Sequence, residues 1–131
     1  MMQEQHFNLM LAEFGERLGI GPLTFDDDQT AAIAFSEDLI VLLSLEEDAL
    51  LTYAKVGTAL DGNAEFAEAL LSANLFWEDT RGATVSLEPF SRAILLALRT
   101  PADSIASPQV LESHLEAFAE LAQEWQQIIQ R

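Results

Sequence analysis

The chain has 131 residues, half of them hydrophobic, and sets 22 Asp and Glu against six Lys and Arg for a formal net charge of −16. That balance repels nucleic-acid phosphates and anionic headgroups, while a mean hydropathy of +0.14 is too high for a disordered acidic tail. One domain over residues 1–131 with one modest core is expected, and the absence of Cys removes disulfides and thiolate metal sites and fits the cytoplasm.

In MMQEQHFNLMLAEFGERLGI, Phe7, Met10, Leu11, Phe14 and Leu18 recur every three or four residues. This spacing predicts an amphipathic helix over 3–19, ended by Gly19 and the pair Gly21-Pro22. The stretch has neither the basic start nor the unbroken apolar run of a signal peptide. No segment approaches the roughly 20 apolar residues of a membrane-spanning helix, so membrane insertion is not expected.

TAAIAFSEDLIVLLSLEEDALLTYAKVG then reads as three strands separated by acidic turns at Glu37-Asp38 and Glu46-Glu47-Asp48, an antiparallel meander. The middle strand is apolar on both alternating sets, Leu39, Val41, Leu43 and Leu45 on one and Ile40 and Leu42 on the other. Such a strand is expected to be covered on both faces, by a helix or by a partner.

Asp61-Gly62-Asn63 offers an N-cap for a short second helix whose stripe is Phe66, Leu70 and Leu71. Residues 84–87 and 93–98 form a second hairpin around Glu88-Pro89-Phe90-Ser91, with Pro89 in the turn, where its missing N–H is harmless. Ser107-Pro108 starts a last helix over 108–130, with Leu111, Leu115, Phe118, Ala122, Trp125 and Ile129 on one stripe. That stripe suits packing on the sheet better than a coiled coil. The predicted class is α+β, a five-stranded antiparallel sheet with three helices in the order α-β-β-β-α-β-β-α.

Chemical signals are weak. Asp26-Asp27-Asp28 lacks the alternating ligands, turn Gly and distal Glu of a calcium loop, and a solvated turn is the preferred reading. His6 and His114 have no partner at metal-ligand spacing. There is no GxSxG elbow and no phosphate-binding glycine motif, so neither catalysis nor a cofactor is expected, and an enzyme using buried carboxylates is the remotest of the alternatives. Glu112, Glu116, Glu120 and Glu124 form an acidic stripe on the last helix, read as a solvated face.

What stands out is apolar surface. Leu70, Leu71, Leu75, Phe76 and Trp77 crowd one helix end; they either cap the domain's own core or anchor a subunit interface. The signature EFAEALLSANLFWEDTRGATVSLEPFSRAILLAL, residues 65–98, resembles that of the class I type III secretion chaperones, the group named for the Tir chaperone. The matching positions are Leu71, Asn74, Leu75, Phe76, Trp77, Gly82 and the strand Ile94 to Leu98. Length, acidity and element order agree over almost the whole chain.

The resemblance implies a homodimer whose interface centres on Phe66, Leu70, Leu71, Leu75, Phe76 and Trp77, meeting their symmetry mates across a twofold axis. It also implies a client, the N-terminal chaperone-binding segment of a secreted effector, held in extended form and kept secretion-competent. By position, the client surface falls on Leu11, Phe14 and Leu18 of the first helix and on Ile33, Phe35, Leu43 and Leu51 of the sheet. A secretion ATPase is raised as a further partner. The alternative function is an acidic dimeric adaptor of the same fold that binds a folded regulator. Two departures from the family pattern shape the expectation: basic contacts are confined to Arg17, Lys55, Arg81, Arg92, Arg99 and Arg131, and Ala31, Ala32 and Ala34 imply shallow client pockets.

Overall fold

The computed structural model describes residues 2–59 and 64–130. Helix α1, Met2–Arg17, precedes strands β1 (Thr30–Ser36), β2 (Leu39–Leu45) and β3 (Ala49–Thr58). Helix α2 (Ala64–Ala73) and a 3-10 turn at Leu75–Trp77 lead into β4 (Thr84–Leu87) and β5 (Ala93–Pro101), and α3 (Pro108–Gln130) closes the order. The five strands form one antiparallel sheet in the order β1-β2-β3-β5-β4. The predicted class and element order therefore stand. Asp61-Gly62-Asn63, read as the N-cap of α2, and Arg131 lie outside the described residues.

Strand β5 runs three residues past its expected end because β3 pairs with it along its whole length, from Ala49 opposite Pro101 to Thr58 opposite Ala93. Helix α1 stops two residues early. Its last turn closes through Leu18 N–H to the Phe14 carbonyl, and Gly19 follows with a left-handed φ of 78°. The chain then doubles back so closely that a side chain at Gly15 would lie 2.2 Å from the Gly21 carbonyl oxygen. Only glycine fits there.

The helices cover one face of the sheet. Alternation along the strands sends Ile33, Val41, Leu43, Leu45, Leu50, Ala54 and Leu96 to that face, all buried. Phe7, Met10, Leu11 and Phe14 of α1 and Leu111, Leu115, Phe118, Ala122 and Trp125 of α3 meet them in one core. The α3 stripe thus packs on the sheet, as its spacing suggested. Phe14 and Phe35 join α1 to β1 with ring centroids 6.4 Å apart. Ser107 caps α3 through its Oγ, which accepts from Val110 N–H at 3.2 Å.

His114 projects from α3 under the sheet and lies 2.9 Å from Thr52 Oγ1, a side chain with no exposed surface. Desolvation holds its imidazole below the ordinary histidine value. The unfolded chain therefore binds the proton more readily than the folded one, and stability rises with pH toward about 6.5 and levels off above it. Urea unfolding should show a lower midpoint at pH 5.5 than at pH 7.5. In His114→Gln this difference should shrink; an undiminished difference would assign it to the carboxylates instead.

Candidate functional site

Among the described residues no helix lies on the second face of the sheet. Its side chains form rows across the strands, read directly from the register: Ala32, Leu42, Tyr53, Ala97 and Thr84 in one, Lys55, Leu95 and Ser86 in the next, and Ser44, Leu51 and Arg99 in a third. None of these is buried, and Ile40, opposite Ala34, is 53% exposed. A polar outer face is the usual solution for a one-sided antiparallel sheet. Here the centre of that face is apolar. The expectation that β2 is covered on both faces holds within the protomer for the helix side alone.

A second apolar surface lies at the end of α2. Asn74 turns the chain and ties it to the sheet margin: its Nδ2 donates to the Val85 carbonyl at 2.9 Å and its Oδ1 accepts from Val85 N–H at 2.8 Å. The amide thus takes the place of a sixth strand at this point of the β4 edge. Beyond it Phe76 and Trp77 both adopt left-handed φ angles, 54° and 57°. Such a conformation costs roughly 1–2 kcal/mol per non-glycine residue, and here it turns the rings outward. Leu71, Leu75, Phe76 and Trp77 stand 75%, 65%, 78% and 54% exposed, with Phe66 and Leu70 half-buried behind them.

Of the six residues read as an interface, Phe66 and Leu70 pack against the protomer's core, while Leu71, Leu75, Phe76 and Trp77 form an exposed surface continuous with them. Asn74→Ala should lower stability by about 1–3 kcal/mol, the cost of leaving a strand amide and carbonyl without partners. Thermal unfolding checks this; an unchanged midpoint would show that water replaces both bonds.

The client residues named from sequence divide differently. Leu11, Phe14, Ile33 and Leu43 are at most 1% exposed and belong to the core. Their stripe faces the sheet interior, where a partner cannot reach them in the folded protomer. Leu18 is 45% exposed, Leu51 lies on the uncovered face, and Phe35 is half-buried beside Phe14. Ile40 and Leu42, read from sequence as the second apolar set of β2, lie on the open face, joined there by Tyr53 and Leu95, which the sequence reading did not name, as it did not name Leu9, 74% exposed on α1. Their signal was an apolar residue out of phase with the core stripe. Leu9 sits one position off the Phe7, Met10, Leu11, Phe14 set and borders a shallow groove with Gln5, Asn8, Ala12 and Thr24.

Three arginines are engaged with carboxylates of the same chain. Arg17 pairs with Glu112, Arg81 with both oxygens of Glu124 at 3.1 and 3.0 Å, and Arg99 with Glu46 and Asp48 at 2.9 and 3.1 Å. Two members of the acidic α3 stripe are thus tethered to neighbouring arginines. Asp26 forms a turn in which its Oδ1 accepts from Asp28 and Thr30 N–H, both at 2.9 Å. Among the described residues no group of three or more His, Cys, Asp or Glu could hold a metal ion, and no helix is long and apolar enough to cross a membrane.

A small acidic α+β chain with an open apolar sheet face and an exposed aromatic cluster has the surfaces of a protein-binding module. The model of the Tir chaperone protein (CesT) family matches residues 10–126, and the chain belongs to that family. It is 32% identical over 109 residues to the Tir chaperone of Escherichia coli O157:H7, covering 82% of this chain and 69% of that protein. Identity to the Tir chaperone of Citrobacter freundii is 30% over the same length. Among solved structures, the ExsC-ExsE complex superposes with a TM-score of 0.82 at 26% identity, over 95% of this chain and 93% of the other. The HopA1-SchA chaperone-effector complex gives 0.79 at 20% identity, over 97% and 98%, a likeness of fold.

Proposed function

We propose that this protein is a homodimeric, cytoplasmic type III secretion chaperone, one domain over 1–131 without catalytic activity, that binds the N-terminal segment of a secreted effector in extended form. Membership of the Tir chaperone family supports the reading, as does the complex of a chaperone with its effector on the same fold. The observation that carries it is the open sheet face around Leu42, Tyr53, Leu51 and Leu95. An unfolded segment that orders on binding must recover its lost conformational entropy by burying roughly 1,000–3,000 Å², and a wide apolar sheet offers such area where a single pocket would not.

The outer edge of β1 suits the same client. Among the described residues β1 pairs with β2 alone, so an extended peptide can add main-chain hydrogen bonds there while alternate side chains fill shallow sites. The net charge of −16 keeps a surface with such patches soluble and favours a neutral or basic client. The test is affinity capture of the tagged protein from its native cells, followed by limited proteolysis and mass spectrometry. Protection of a segment within the first hundred or so residues of a secreted protein is the expected result. Recovery of an intact folded regulator with no protected extended segment would replace the chaperone with an adaptor.

A further inference from the structure

The β4–β5 turn carries the most exposed large apolar side chain among the described residues. Phe90 is 96% exposed, yet its backbone is held tightly. Glu88 folds over the turn, its Oε1 accepting from Phe90 N–H at 3.1 Å and its Oε2 from Ser91 N–H at 2.7 Å. Arg92 N–H returns to the Glu88 carbonyl at 2.8 Å, and Arg92 itself takes a left-handed φ of 65°. Pro89 fixes a further angle. A phenyl ring on a turn this constrained loses little backbone freedom on docking.

Next to this turn lies a complementary hole. Between α2 and β4 there is a cavity of about 250 Å³ bordered by Phe66, Leu70, Leu71, Val85, Leu87 and Arg92. An apolar cavity of about 150 Å³ accommodates a benzene ring, so this one admits a phenylalanine side chain. Leu87 and Arg92 are both rim of the hole and neighbours of the knob. Leu71 borders the hole and also the exposed surface of Leu75, Phe76 and Trp77, so knob, hole and aromatic display are continuous.

We infer that Phe90 of one protomer inserts into the α2–β4 cavity of a second copy, a reciprocal knob-and-hole contact that anchors the dimer. The inference rests on the homodimer proposed above and adds to it a residue and a receptor site. A knob and its hole side by side on one surface suit an isologous twofold contact, in which each copy gives and receives the same group. The area is adequate. At 150–250 Å² per buried aromatic, the exposed parts of Phe76, Trp77 and Phe90 supply about half of the roughly 800 Å² that each partner of a standard interface buries.

The chain has no cysteine, so proximity can be read by an engineered pair. Protomers carrying Phe90→Cys are mixed with protomers carrying Ala67→Cys, at the cavity wall, and oxidised. A disulfide-linked heterodimer on a non-reducing gel is expected. Sedimentation equilibrium should show the dimer dissociation constant of Phe90→Ala raised about 30-fold or more, as for a central aromatic anchor, with circular dichroism unchanged because the side chain touches little in the protomer. A wild-type dimer that yields no heterodimer crosslink and tolerates Phe90→Ala would overturn the insertion and leave the dimer standing. A monomeric wild type would overturn both, and loss of client capture by Phe90→Ala in an unweakened dimer would reassign the knob to the client.

Discussion

Phe14→Asp is expected to abolish cooperative unfolding altogether, leaving a chain without a stable native state. Phe14 is 1% exposed, wedged between α1 and the sheet against Phe35. Even the neutral truncation Phe14→Ala should cost about 3–5 kcal/mol, the price of lost transfer energy and a residual cavity. Against a typical stability of about 5–15 kcal/mol, adding the burial of a carboxylate with no partner exceeds what the fold can tolerate. Chemical denaturation followed by circular dichroism measures it. A Phe14→Asp protein that unfolds cooperatively near the wild-type midpoint would place this ring at the surface and restore it to a client-binding role.

Phe76→Asp should do the opposite: keep the fold and dissolve the dimer. The side chain is 78% exposed in the protomer, so a charge there costs the isolated chain little. In an interface, a desolvated carboxylate facing its own symmetry mate is strongly unfavourable, and central aromatic anchors are each worth about 2–4 kcal/mol on truncation alone. Sedimentation at micromolar concentration should return the protomer mass with an unaltered far-ultraviolet spectrum. The left-handed φ at position 76 adds a second expectation, that Phe76→Gly relieves backbone strain while also weakening the dimer. A Phe76→Asp protein that sediments as the intact dimer would remove the α2 terminus from the interface.

The two substitutions separate what hydrophobicity alone confuses. Both residues are phenylalanines on or beside helices, and both were read from sequence as contacts to another chain. Phe14 lies in phase with Phe7, Met10 and Leu11, and an in-phase apolar stripe is what a helix turns toward its own sheet. Phe76 follows Asn74, whose amide is committed to the β4 edge, and the turn that this bond imposes throws the next side chains outward.

Chain order and class were determined by the sequence itself. Period and punctuation are local properties, and the helix stripes, the acidic turns, Pro89 and the Ser107 cap each act within a few residues. The signature at 65–98 was equally legible, because it consists of residue types in fixed local order. Which side of the sheet is open was a matter for tertiary structure alone. Strand β2 is apolar on both sets, so only the docking of α1 and α3 on one face decides that Leu43 is core and Leu42 is surface. The pairing of Arg17 with Glu112 likewise joins residues distant in sequence, and the Asn74 clamp on Val85 and the cavity beside Phe90 join separate elements of the fold. Such contacts follow from packing geometry, which no local pattern encodes.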